Sequence, residues 1–152
     1  MLPKYHIIIG AIASLILFYL TNLTITQTII IFLSSFLIDI DHYIIYGIMY
    51  KNWSLKNSRK YFFNIREKWI KIPLKERKKY KRHIFIFHGI EFWIILFIIS
   101  NYFPFILFIL YGFAIHIFLD YLDLIYFKEP LYQKFSQFYV YQTNKKKINF
   151  NY

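Results

Sequence analysis

Cysteine is absent from the 152-residue chain. Disulfides and thiolate metal sites are therefore excluded, and His, Asp and Glu are left as the strong metal ligands. Acidic residues are scarce: eight Asp and Glu stand against nineteen Lys and Arg, a formal charge of +11 with His neutral. That balance suits anionic lipid headgroups or a nucleic acid, and position along the chain has to decide between them. The sequence has no Gly-rich phosphate loop and no internal repeat beyond two hairpin-like halves. Ser14, Ser34 and Ser35 lack a His/Asp triad arrangement, which argues against a serine nucleophile.

What is plentiful is apolar: 58% of the residues are hydrophobic, too many for most soluble domains. From Tyr5 to Ile48 there is no Lys or Arg, and the polar run TNLT (Thr21 to Thr24) divides the stretch in two. A second apolar block from Ile84 to Leu119 is broken by Ser100, Asn101 and Pro104. Helices of about 20 residues cross a ~30 Å hydrocarbon core at ~1.5 Å per residue; the first pair fits and the second is slightly short. The chain therefore reads as all-α, a single integral membrane domain with a bundle of about four transmembrane helices in two hairpins. The first hairpin occupies residues 5–48, a basic insert 49–83, the second hairpin 84–127 and a basic amphipathic tail 128–152. No small-x-small cleavage site follows IIIGAIASLILFYL, so it reads as a retained helix.

Basic residues fall at Lys4, at thirteen positions from Lys51 to Arg82 and at five from Lys128 to Lys147. Four crossings put these segments on one side, and the opposite turns carry no charge. The positive-inside rule then predicts an integral protein of the cell (inner) membrane with both termini and the insert in the cytoplasm. Within the insert, NSRKYFFNIREKWIKI mixes Phe62, Phe63 and Trp69 with Arg66 and Lys68, as expected of a helix lying on anionic headgroups. The run PLKERKKYKRH reads as a solvated juxtamembrane stretch. With no groove-reading motif beside it, no specific nucleic-acid partner is expected.

The polar residues follow the same topology. His6 begins the first helix, Asp39, Asp41 and His42 end the second, His83, His88 and Glu91 open the third, and His116, Asp120 and Asp123 end the fourth. All fall at the expected cytoplasmic ends. An unpaired charge costs roughly 2.5–3.5 kcal/mol near mid-membrane and less at the edge, so these groups need partners. No Lys or Arg lies within those helices, and carboxylates repel one another. A shared divalent cation, one or two per chain, is the economical solution; this ligand set suits zinc, with manganese or iron as alternatives, better than calcium.

Local spacing agrees. Asp39 and His42, and His88 and Glu91, are i,i+3 pairs, while His116, Asp120 and Asp123 run i, i+4, i+7 on one face. Asp41 and His83 fall off those faces and join a site only where the helix ends are irregular. A C-terminal helix end also disfavours carboxylates through its dipole, so capping does not account for Asp39 and Asp41. Glu91 is open to three roles: ligand, general base or a group behind a ligand. Asp123 is expected to orient a ligating His or pair with the insert, and either acid is a candidate proton acceptor.

This pattern resembles the membrane-bound metal-dependent hydrolases of the YdjM type. His6 matches their N-terminal His, Asp39, Asp41 and His42 in LIDIDH match a PDIDH motif, and His83 and His88 keep the spacing of HRGxTHS. His116 and Asp120 in HIFLD match HxxxD. Here Ile38 replaces the Pro, Ile84–Phe85 the Arg–Gly, Phe87 the Thr and Gly89 the final Ser. The resemblance lifts His6 and His83 to metal ligands beside Asp39, Asp41, His42, His88, His116 and Asp120. It implies a hydrolase that uses metal-activated water on a phosphoester or lipid-type substrate at the cytoplasmic face. The competing class is a non-enzymatic membrane protein with a structural metal, or a metal carrier. A carrier needs ligands across the whole bilayer, and the outer helix halves offer only Ser, Thr, Asn and Gln.

Overall fold

A computed structural model describes residues 3–150; its regular structure there is all helical, and an isolated bridge joins Tyr80 and Ile148. The membrane-type helices are α1 (Pro3–Leu20), α2 (Ile25–Leu37), α3 (Ile40–Tyr50), α6 (Ile90–Ser100) and α7 (Ile106–Tyr126). The insert forms α4 (Leu55–Lys71) and α5 (Leu74–Arg77), and the tail forms α8 (Tyr132–Phe135) and α9 (Gln137–Asn144). α2 packs against both α1 and α7, and α6 packs on α7. The turn after α1 is set by chemistry in TNLT: Thr24 accepts from Gln27 N, and the Gln27 side chain accepts from Thr24 N, closing a capping box at the start of α2.

The distribution of polarity is inverted. Ile8, Ile12, Leu15, Ile94, Phe97 and Phe118 point outward, while His6, Ser14, Ser34, Ser35, Asp41, His88, His116 and Asp120 are buried. Such an arrangement is stable where the surroundings are themselves apolar. Three stretches, Pro3–Leu20, Ile25–Tyr50 and Ile106–Tyr126, are long and apolar enough to cross a membrane. α6 has 11 residues, about 16 Å at ~1.5 Å per residue, which is half a hydrocarbon core. Its expected first turns are not helical. From Ile84 to Gly89 the chain is extended and then forms one 3-10 turn, Ile86–His88, because side chains hold its backbone. Phe85 N donates to Gln137 Oε1 and Phe87 N to Asp41 Oδ2.

Helices approach closely through small residues. A Cβ on Gly112 of α7 would overlap Ser34 Oγ and the Ile31 carbonyl of α2 and lie 2.8 Å from Ser35 N; one on Gly10 of α1 would overlap Ser35 Oγ. The hydroxyls of Ser34 and Ser35 bond back to their own helix, so α2 presents a narrow ridge of small, satisfied side chains to both neighbours. Beside this crossing, Ile38, Phe113 and Ile117 form the apolar core, with Phe92, Trp93 and Leu96 of α6 packed on it.

The basic insert and the tail form a second layer. Glu129 is its pin: Arg77 and Arg82 reach its carboxylate at 2.9 and 2.7 Å, and the Trp69 indole donates to it at 2.7 Å. Burial by itself would raise the Glu129 carboxyl, but Arg82, Trp69 and Arg77 outweigh it and hold the group below the usual range. Asn144 exchanges two hydrogen bonds with the Arg82 backbone, fastening α9 to the insert. Inward engagement differs from the expected headgroup insertion of this segment. Phe62 meets the His42 ring at 5.1 Å, Trp69 lies under Arg82, and Arg66 binds Asp123 at 2.9 Å, leaving Phe63 half exposed.

Candidate metal centre

The centre forms where α2 gives way to α3. Helix α2 ends at Leu37, and Asp41 N and His42 N bond to the carbonyls of Ile38 and Asp39, three residues back. This tight turn rotates the chain, so Asp41, off the expected face, points inward with Asp39 and His42. It also changes the dipole argument. Asp39 is the N-cap of α3 and Asp41 is in its first turn, where a helix favours negative charge.

Four atoms converge. His88 Nε2 is 3.4 Å from Asp39 Oδ1 and 3.7 Å from Asp120 Oδ2; His116 Nε2 is 3.5 Å from Asp39 Oδ1 and 3.3 Å from Asp120 Oδ2. Around a tetrahedral ion with bonds of ~2.0–2.1 Å, ligand atoms lie roughly 3.3 Å apart. These four separations match that spacing, and His88, His116 and Asp120 lie close enough together to share one ion. Both nitrogens are buried and make no hydrogen bond, as does His6 Nδ1. Buried polar atoms are rarely left so, and a cation is the partner that nitrogen lone pairs and carboxylate oxygens can share.

The tautomers support this. His116 Nδ1 lies 2.9 Å from the Ser35 carbonyl. A carbonyl only accepts, so Nδ1 carries the proton and Nε2 presents a lone pair to the centre. Asp41 does the same for His88: its Oδ2 lies 2.9 Å from His88 Nδ1 and also accepts from Phe87 N. Asp41 Oδ1 is 2.8 Å from His42 Nδ1. Asp41 is thus placed to orient two imidazoles, the arrangement that fixes ligand direction in metal sites.

Seven of the expected ligands are brought together. Asp39, Asp41, His42 and His88 form one group able to hold an ion, His6, Asp39 and His116 a second, and His88, His116 and Asp120 a third. His6 stacks on His116 at 3.8 Å, with Nε2 3.4 Å from Asp120 Oδ1. The layer is not at the helix ends as expected. His116 stands midway along α7, and Asp39 midway along the rod formed by α2 and α3, because both rods continue past the centre to wall a cavity.

Three expected site residues lie apart from these groups. His83 packs among Phe62, Phe85 and Tyr61 at 5.7 to 6.3 Å, and burial, then the neighbouring His42, push its imidazole down to about 4. Glu91 accepts from Ser136 Oγ, Gln137 N and Phe138 N, so its oxygens cap the start of α9. Geometry thus gives no support to Glu91 as proton acceptor. Asp123 pairs with Arg66 of the insert, one of its three expected roles beside orienting a His and accepting a proton.

Lys134 is the residue that sequence reasoning missed. The layer was expected to have no basic neighbour, yet Lys134 of α8 places Nζ 3.1 Å from Asp120 Oδ2. Only its place in a basic tail hinted at it. Above the centre, between α4 and the bundle, lies a cavity of about 760 Å³ that reaches Asp39, His42, Asp120 and Lys134. Fold and site together define an all-helical protein of membrane type with a buried His/Asp group able to hold a metal ion. No family model, curated protein or solved structure matches the chain.

Proposed function

We propose that the protein is a membrane-bound metal-dependent hydrolase of the kind its motifs resemble, acting at the cytoplasmic face on a phosphoester or lipid-type substrate. One observation carries this reading: Asp39 and Asp120, which meet the buried nitrogens of His88 and His116, line an open cavity. A structural metal has its coordination closed by protein, whereas a catalytic one keeps a position open to substrate and water. Asp39, with a quarter of its side chain exposed against about a twentieth for Asp120, is where the centre meets the cavity.

His88, His116, Asp39 and Asp120 would hold the ion, most simply zinc, with His6 and His42 able to complete a second position. Bound there, a divalent ion polarises an ester oxygen and lowers the pKa of water. The chain's residues do the rest. Ser35 and Asp41 keep His116 and His88 in the ligating tautomer. In hydrolysis the water oxygen bonds to the phosphorus or acyl carbon, the ester bond breaks, and the alcohol leaves with a proton. Asp39, with a quarter of its side chain open to the cavity, is the carboxylate placed to relay protons outward.

Metal analysis of detergent-purified protein beside a phosphoesterase and lipase screen tests this reading. Expected is about one or two transition-metal ions per chain and turnover abolished by chelation. Protein that purifies free of transition metal and binds none on titration would defeat it.

The proposal includes topology. We read α6 as a short fourth crossing, with both termini and the insert in the cytoplasm, because the two hairpins return to one level at the metal centre and all nineteen basic residues flank that side. Exposed Trp53 would then meet the bilayer surface, and the insert's outward cations its anionic headgroups. Reporter fusions at the C-terminus and in the Thr21 to Thr24 turn should report opposite sides, the C-terminal one cytoplasmic. The same side for both would reject the hairpin arrangement.

A further inference from the structure

Lys134 holds a position that a simple surface salt bridge does not explain. Its side chain is largely buried, its ammonium lies 4.8 Å from the Phe85 ring centre, and the oxygen it touches, Asp120 Oδ2, also faces His116 and His88. It therefore stands at the mouth of the metal centre, on the cavity side. The cavity is lined by seven Lys or Arg and four carboxylates, so it is net positive before any cation joins it. Two of those carboxylates are already engaged, Asp123 by Arg66 and Glu129 by Arg77 and Arg82. Arg59 and Lys81 line the same space. A divalent ion held by Asp120, His88 and His116 would add to this positive potential. An entering anion is what restores balance.

The remaining wall is apolar, with Phe62, Phe63, Ile65 and Leu124 beside the cationic groups. A fully polar metabolite leaves that wall unpaired, whereas an amphiphile covers it. We propose, building on the hydrolase reading, that Lys134 binds a phosphoryl oxygen of the substrate and that the substrate is a phosphate-bearing amphiphile. A phosphoryl group offers up to two negative charges on three oxygens, which suits a mouth with several donors better than a single carboxylate does. Its apolar portion lies along Phe62, Phe63 and Ile65.

Calorimetric titration of the full chain in detergent tests the assignment, using dihexanoyl phosphatidic acid, dihexanoyl phosphatidylcholine and inorganic phosphate. Wild type, Lys134→Gln and Lys134→Arg are compared as purified and after chelation, with metal content measured in each. Dihexanoyl phosphatidic acid should bind wild type, weaken roughly tenfold or more in Lys134→Gln, and keep most affinity in Lys134→Arg, with metal content unchanged. Equal binding by wild type and Lys134→Gln overturns the proposal. So does parallel loss of metal and binding in Lys134→Gln, which would reduce Lys134 to a support for Asp120. Inorganic phosphate binding as tightly as the phosphatidic acid would point to free phosphate and reject the amphiphile, and equal affinity for the zwitterionic lipid would reject charge recognition. Lys134-dependent binding in a wild type without metal would refute the hydrolase reading while leaving the anion site standing.

Discussion

Asp120→Ala should empty the candidate metal centre and remove the proposed hydrolase activity together, while the protein still inserts in the membrane. The effect is expected to be large because Asp120 contacts more of the centre than any single imidazole does. Its Oδ1 lies 3.4 Å from His6, and its Oδ2 lies 3.3 Å from His116, 3.7 Å from His88 and 3.1 Å from Lys134. Removal leaves His6 and Lys134 without the carboxylate they share and leaves Asp39 as the one convergent acid facing His88 and His116, too little negative charge to hold a cation beside the ammonium. A group behind a ligand costs roughly ten- to a hundredfold in metal affinity when lost, and a ligand at this hub should exceed that. Asp41→Asn should fall within that smaller range, since it disturbs the tautomers of His88 and His42 without removing a convergent oxygen. Insertion depends on the apolar runs and should persist in both. Metal content per chain, measured beside membrane fractionation, decides the matter: Asp120→Ala loaded like wild type would refute the hub.

Much of this centre was legible before any coordinates, and the reason is local. His116 and Asp120 share a helical face at i,i+4, and an apolar run carrying a His and an Asp has few uses for them other than a common partner. The inverted polarity of the bundle follows from the same runs. What escaped was the work of residues far apart in sequence. Nothing in FLIDIDHYI marks a two-residue break, since neither Pro nor Gly interrupts it, yet the break turns Asp41 inward. Glu91 looked like a base because it stands one turn from His88; its partners in α9 lie 45 to 47 residues further on. Lys134 reaches Asp120 only because α8 folds back under the insert, a closure fastened by Glu129 and Asn144. His83 matched a motif by spacing alone, while the segment that follows it is extended and puts the ring among aromatics.

The insert and tail therefore act on the centre as a roof. Arg66 ties α4 to α7 through Asp123, and the Glu129 pin ties α5 and the tail to the same edge. The Glu129 pairs are buried, the kind whose loss on one side leaves an uncompensated charge, while the Arg66–Asp123 pair is partly exposed. Between roof and bundle the cavity keeps its basic and aromatic lining. The apolar bundle supplies the ligands, and the insert and tail complete the pocket.

Gly112→Val should unfold or severely weaken the bundle, and the reason is the closeness of α2 and α7. Gly112 lies one turn before His116 on α7, against Ile31, Ser34 and Ser35 of α2. A side chain there meets the Ile31 carbonyl and the Ser35 amide, which are backbone and cannot rotate aside. The helices must separate. Overpacking of a yielding core costs about 1–3 kcal/mol, and a contact with backbone belongs at or above the top of that range. Separation also pulls the Ser35 carbonyl from His116 Nδ1, now 2.9 Å away, so the imidazole loses the bond that fixes its tautomer. Gly112→Ala should show the same loss in weaker form. Phe118→Ala, on the outward face of the same helix and 62% exposed, serves as the control and should melt close to wild type. Thermal unfolding in detergent, read by tryptophan fluorescence and paired with metal content, tests the sequence of effects. Gly112→Val that melts with wild type and keeps its metal would mean that α2 and α7 do not meet at this residue, and that His116 is held in place by something other than the Ser35 carbonyl.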